Sequence, residues 1–217
     1  MLIVFDLDGT LIDSAKDLAI SMNATRKHLG MEPLDPELIY SFVGNGAAVL
    51  VKRALGPEAS DEVNGQALAF FLKYYRAHAL EHTHLYPGVR ELVEELAGEG
   101  HTQAVLTNKP VKISRDIVAA LGLSPYFSQT YGGDSFAAKK PDPIGLNTLM
   151  QEIRMEPAET MMVGDSGVDI QTARNAGVTA CGVSWGFQPR AFETDKPDLL
   201  IDKPAELMRF VTARERA

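Results

Sequence analysis

Leu2-Ile3-Val4-Phe5-Asp6-Leu7-Asp8-Gly9-Thr10-Leu11-Ile12-Asp13-Ser14 opens with an apolar run that ends in two carboxylates and a glycine turn. The run reads as a buried strand, and at a period of two Asp6 and Asp8 fall on one side of the extended backbone while Leu7 points away. Two carboxylates delivered to one place repel each other unless a cation or a shared proton offsets them. A metal site answers that requirement. Gly9-Thr10 lets the chain turn sharply enough for backbone amides to approach an anion. One carboxylate of such a pair can attack as a nucleophile while the other moves a proton. Asp-x-Asp by itself also fits turn chemistry or a helix entry; the longer string FDLDGTLIDS weighs against that.

Outward from this strand, the chain from about Tyr86 alternates short apolar runs with helical stretches. Residues 103–107, 129–131, 161–163 and 179–183 read as strands, and 89–97, 111–121, 143–153 and 168–176 as helices. Near-continuous apolar strands separated by helices predict an α/β fold, a Rossmann-like parallel sheet covered on both faces. Residues 15–82 break the alternation and read as helix after helix. Ser14 is placed to cap a helix whose Leu18, Met22 and Leu29 share a face and which Gly30 ends. Asp35-Pro36 opens a second helix, and Asn45-Gly46 separates it from a third over 47–55. A longer fourth carries Val63, Ala67, Phe70, Phe71, Tyr74 and His78 along its apolar side. The expected organisation is a catalytic core of 1–14 and 83–217 with a helical cap inserted over 15–82.

The chain has 217 residues, 45% of them hydrophobic, enough for a substantial core. Its formal charge of −8 argues against nucleic-acid or anionic-membrane surfaces, which are bound by clustered Lys and Arg. An anionic substrate then needs local cations. Cys181 is the only cysteine, so no intrachain disulfide forms, and no run reads as a signal peptide or a membrane span. The expected location is the cytoplasm, and the expected assembly a monomer or homodimer.

In open parallel sheets ligands bind beyond the carboxyl ends of the strands. Asp6, Thr107-Asn108 and Gly164-Asp165 each follow an apolar run, so all three should project from one edge. Asp165 sits in a loop where it can meet a metal held by Asp6, and Asp169 in the first helical turn, near its positive end. Asp165 read alone also fits a helix cap. So many acids call for a cation besides a divalent metal. Lys140, in Lys139-Lys140-Pro141-Asp142-Pro143, is the candidate because the prolines fix the direction of its loop. Lys139 reads as solvated surface. Thr107 offers its hydroxyl as a phosphate donor, with Asn108 beside it facing substrate.

FDLDGTLIDS, LTNKP, KKPDP and VGDSGVDIQTARNAG, in this order and spacing, resemble the haloacid dehalogenase superfamily of phosphohydrolases. The resemblance implies Asp6 as nucleophile, Asp8 as general acid and base, Thr107 as donor to phosphoryl oxygens and Lys140 as charge clamp. It implies Mg²⁺ bound by Asp6, Asp165 and the backbone carbonyl of Asp8, with Asp169 supporting the metal shell or Lys140. A carboxylate at Asp8 favours a phosphatase or phosphomutase, because dehalogenases have no alkoxide to protonate. GNGAAVLVKRAL, TYGGDS and TNKP resemble the phosphoglycolate phosphatase group within the superfamily, which implies a small phosphorylated metabolite, 2-phosphoglycolate first, as substrate. Other small metabolites, pyrophosphate, a sugar phosphomutase reaction and a silent binding module are the alternatives. Gly44-Asn45-Gly46 is the expected substrate-facing loop, although it also fits an interhelix turn. Arg53 with Lys52 is placed to meet a substrate carboxylate, although such pairs also form solvated helix faces.

Overall fold

The computed structural model describes residues 1–215; the last two residues of the expected core segment, 216–217, lie outside the described residues. The chain runs β1 (Leu2–Phe5), β2 (Ile12–Asp13), α1 (Ala15–His28), α2 (Pro36–Tyr40), α3 (Ala47–Leu55), α4 (Asp61–His78) and β3 (His84–Leu85). It continues through α5 (Val89–Gly98), β4 (Thr102–Leu106), α6 (Val111–Ala120), β5 (Gln129–Tyr131), α7 (Ile144–Ile153) and β6 (Thr160–Gly164). The last elements are α8 (Gly167–Ala176), β7 (Thr179–Val183), β8 (Leu199–Ile201) and α9 (Pro204–Glu215).

Six strands form one sheet in the order β5-β4-β1-β6-β7-β8, every pairing parallel. The order reverses at β1, which lies between β4 and β6 with Phe5 level with both Val105 and Val163. The loops after these three strands therefore open side by side at the topological switch point, where open α/β sheets place their ligands.

β1 shows why the sheet is covered twice. Ile3 and Phe5 join one core cluster, with Leu92, Leu96, Ile113 and Ile117 of α5 and α6, while Leu2 and Val4 join another, with Leu146, Leu149, Ile170 and Ala173 of α7 and α8. All four β1 residues are at most 1% exposed, which accounts for an unbroken apolar strand where a half-solvated one would alternate.

The helices α1–α4 are inserted between β1 and the rest of the sheet, and both crossings are tied. β2 and β3 pair antiparallel, Ile12 with Leu85 and Asp13 with His84. Beside them the buried Asp17 carboxylate accepts the backbone N–H groups of His82, at 3.0 and 3.1 Å, and of Thr83, at 2.8 Å, and the Thr83 hydroxyl at 2.8 Å. A buried carboxylate is tolerable on these terms because hydrogen-bond donors surround it.

Two local expectations change. Ser14 stands at the N-cap of α1, yet its side chain makes no capping bond; it donates to Asp8 at 2.5 Å instead. The buried row of α4 is Ala67, Phe71 and Tyr75, one i, i+4 stripe. Phe70, Tyr74 and His78 form the neighbouring row, stacked ring on ring and continued by His28, which lies 4.1 Å from Phe70. β8 and α9, which extend the sheet and pack on α5, carry no expectation from the sequence. Among the described residues no helix is long and apolar enough to cross a membrane.

Candidate active site

Two acid–lysine clusters occupy the crevice beyond β1, β4 and β6. In the first, Lys140 Nζ lies 3.0 Å from Asp6 Oδ1 and 2.6 Å from Asp169 Oδ1, with all three side chains buried. Asp169 is fixed from its other oxygen by Ser166, whose N–H and hydroxyl donate at 3.1 and 2.6 Å in a capping box on α8. Oxygens of Asp6, Asp165 and Asp169 lie within 4.8 Å of one another. Burial pushes Asp6 up to about 6 against the opposing pull of Lys140, and it raises Asp165 well above the usual carboxylate range, with Asp169 and Asp6 adding to the rise. One ammonium shared by Asp6 and Asp169 leaves Asp165 with an amide, the Phe187 N–H at 2.7 Å. A group of buried acids with one lysine is short of positive charge, and a hard cation bound by oxygens fits it.

Glycines let the chain close around this group. A Cβ on Gly9, whose φ is +79°, would lie 2.2 Å from Asp165 Oδ2, and one on Gly186 would lie 2.2 Å from Asp165 Cβ. Leu7 N–H donates to Asp6 Oδ1 at 2.7 Å, so an amide of the turn already faces the first carboxylate.

The second cluster holds Asp8 apart from the first. Lys109 Nζ sits 2.8 Å from both oxygens of Asp8, and Ser14 donates to one of them. Lys109 also donates to the Tyr75 hydroxyl at 2.7 Å and lies 4.5 Å from the centre of that ring. Burial pulls the Lys109 ammonium down, but Asp8 and Tyr75 outweigh it and the group ends above its ordinary value. Burial pushes the Tyr75 hydroxyl up to about 12, so it stays protonated.

The remaining expected residues divide. Thr107 and Asn108 line the cavity with Asp6 and Asp8, and Gly44 and Gly46 face it from the inserted helices. Thr107 Oγ1 accepts the Lys109 N–H at 3.3 Å. The Asn108 amide donates to the carbonyls of Gly44 at 3.1 Å and Lys140 at 3.0 Å, leaving a buried Oδ1 without a partner. Gly46 passes so close that a Cβ would sit 3.0 Å from the Asn108 carbonyl. Asn45 is not among the cavity residues; its carbonyl accepts Lys139 at 2.6 Å, and Lys139 is exposed, as the sequence led one to expect. Arg53 lies apart from these: it is exposed, reaches the Phe42 carbonyl at 3.5 Å, and lines a separate groove with Lys52, Gly56 and Pro57. Its position on α3 turns it away, because Leu50, Val51 and Ala54 take the buried face.

Lys109 and Tyr75 are the residues sequence reasoning missed. A signal for Lys109 existed, since Lys109-Pro110 repeats the Lys-Pro pair that singled out Lys140. Gly132-Gly133 reinforces it in space: a Cβ on Gly133 would lie 2.5 Å from the Asn108 carbonyl, and the Gly133 N–H donates to the Lys109 carbonyl at 2.9 Å. Tyr75 carries no comparable sign among the many aromatics of α4.

Residues 3–183 match the family model described as haloacid dehalogenase-like hydrolase. Phosphoglycolate phosphatase of Vibrio vulnificus strain CMCP6 is 41% identical over 217 residues, covering 97% of this chain and 95% of the relative. Phosphoglycolate phosphatase of Chromobacterium violaceum is 41% identical over 209 residues, covering 94% and 93%. Among solved structures, a predicted phosphoglycolate phosphatase from Haemophilus somnus 129PT superposes with a TM-score of 0.91 at 33% identity, covering 96% of each chain.

Proposed function

The chain belongs to the haloacid dehalogenase-like hydrolases as a phosphoric monoester hydrolase, and on that footing we propose that its reaction is the Mg²⁺-dependent hydrolysis of 2-phosphoglycolate to glycolate and phosphate. The observation that carries the chemistry is the division of one strand end between two environments: Asp6 lies against Lys140 and the buried acids, Asp8 against Lys109 and Ser14. The substrate rests on the near-full-length likeness to phosphoglycolate phosphatases.

In this reading Asp6, Asp165 and the backbone carbonyl of Asp8 hold Mg²⁺, with Asp169 supporting them. The ion supplies positive charge to the phosphoryl oxygens so that an anionic nucleophile can approach them. Lys140, the Thr107 hydroxyl and the amides after Asp6 add donors aimed at the same oxygens. Asp6 attacks phosphorus in line, the bond to the ester oxygen breaks, and Asp8 protonates the departing alkoxide. Asp8 then takes a proton from water as that water attacks the aspartyl-phosphate, releasing phosphate and restoring Asp6. Residues 15–82 act as a cap over a core of 1–14 and 83–215, and Gly44 and Gly46 bring its backbone up to the substrate.

Phosphate release from 2-phosphoglycolate, sugar phosphates, nucleotides and pyrophosphate, each with Mg²⁺, tests the proposal. The expected result is highest kcat/KM on 2-phosphoglycolate and loss of turnover in Asp6→Asn. Preference for another ester, or an isomerised sugar phosphate in place of free phosphate, overturns the substrate assignment; activity surviving in Asp6→Asn overturns the mechanism.

A further inference from the structure

Asp8 receives three hydrogen bonds, and the two from Lys109 reach both of its oxygens at the same 2.8 Å. A lysine ammonium on a flexible four-carbon stem does not aim itself. Here it is aimed by Tyr75, which accepts a hydrogen bond at 2.7 Å and lays its buried ring alongside. The base of the stem is held as well, by Thr107 Oγ1 at the Lys109 N–H and by Gly133 at its carbonyl. Lys140 serves the other carboxylate and has Asp6 and Asp169 as its partners, so the two lysines are not substitutes for each other.

We propose that Lys109 is a positioning residue for Asp8, and that Tyr75 makes this positioning depend on the inserted helix α4. The inference rests on the reading of Asp8 as the proton donor to the leaving group. It gives the inserted helices a part in the proton transfer itself: a helix far from β1 in sequence, through one hydroxyl, sets where the acid points.

The readout is the dependence on leaving group. An alkoxide leaves poorly without a proton, whereas 4-nitrophenolate leaves as the anion, so loss of acid alignment affects alkyl esters selectively. The value of kcat/KM covers only the steps through aspartyl-phosphate formation, which keeps the second task of Asp8 out of the comparison. The experiment measures kcat/KM of the full-length enzyme with Mg²⁺ on 2-phosphoglycolate and on 4-nitrophenyl phosphate, for wild type, Lys109→Met, Tyr75→Phe, Asp8→Asn and the Lys109→Met/Asp8→Asn double variant.

Lys109→Met is expected to lose about 10²-fold on the alkyl ester and less than about tenfold on the aryl ester. Tyr75→Phe follows in the same direction by about tenfold, the scale of one hydrogen bond to a charged group. Asp8→Asn shows the same selectivity, and the double variant is no worse than Asp8→Asn within about twofold, as for residues that act through one another. Equal losses on both esters, or multiplying losses in the double variant, overturn the proposal in favour of a structural or substrate-binding role. If Lys109→Met fails to fold by circular dichroism, the near-isosteric Tyr75→Phe carries the decision. If wild type leaves 2-phosphoglycolate untouched, the substrate reading fails separately, and the best alkyl ester of the panel takes its place in the same ratio.

Discussion

The two aspartates that end β1 stand two residues apart, and each is met by a buried lysine that precedes a proline, Asp6 by Lys140 and Asp8 by Lys109. The surroundings separate them. The Asp6 side is built from the loops at the sheet edge and the first turn of α8, contains three buried acids to one lysine, and raises the affinity of Asp6 and Asp165 for protons. The Asp8 side pairs one acid with one lysine and is completed from outside the sheet, by Ser14 at the exit to the insertion and by Tyr75 within it. A surplus of buried negative charge suits a divalent cation and a phosphoryl group; a balanced pair suits a side chain that must point accurately and exchange a proton. Sequence neighbours are thus given different surroundings by what reaches them from elsewhere.

The largest effect is expected from Asp6→Asn, a reduction of kcat by at least about 10³-fold on alkyl and aryl esters alike, since no leaving group relieves the loss of the proposed nucleophile. Phosphate release under single-turnover conditions checks it. Chelation comes next. Stripping divalent cations should abolish turnover and Mg²⁺ should restore it. In thermal melts, Mg²⁺ at about 100 times its Kd should stabilise wild type by about 2.7 kcal/mol. Asp165→Asn should lose that stabilisation, while its metal-free form melts no lower than metal-free wild type, because burial disfavours the carboxylate it removes. A lower melting point for metal-free Asp165→Asn would show that Asp165 is stabilising by itself.

Lys140→Met sharpens the contrast with Lys109. It should lower kcat/KM by about 10²-fold irrespective of the leaving group, since the proposed mechanism puts Lys140 on the phosphoryl side. A marked alkyl-over-aryl selectivity in this variant would merge the two clusters into one. The smallest effect is expected from Arg53→Ala, within about twofold in kcat/KM and in stability, as for surface residues outside any network. A larger rise in KM would return Arg53 to the substrate.

Much of this arrangement was legible in the sequence because its carriers are short-range. Asp6, Thr107 and Asp165 follow apolar runs, and parallel strands send their carboxyl ends to one edge, so convergence could be read without knowing any contact. The helices of the core also followed from periodicity, with α5 at Val89–Gly98 against an expectation of 89–97. β8 was not legible: it is three residues long and lies at the sheet edge, and Leu200 is half exposed, so it offers no pattern to count. Ser14 was misread because capping is the commoner fate of a serine before a helix, and only the nearby Asp8 carboxylate competes for its hydroxyl. On α4 the aromatic residues fill two adjacent stripes, and composition does not say which one faces inward.

The sequence by itself determined the α/β alternation, the helical insertion after Ser14, and the set of acids, hydroxyl and lysine that meet at the sheet edge, because backbone periodicity and strand direction act over a few residues at a time. Tertiary structure alone decided which lysine meets which aspartate. Lys109 and Asp8 are 101 positions apart, and Tyr75 stands 34 from Lys109. Such contacts depend on how α4 settles over the loop after β4, a matter of side-chain packing across the whole insertion that no local spacing encodes.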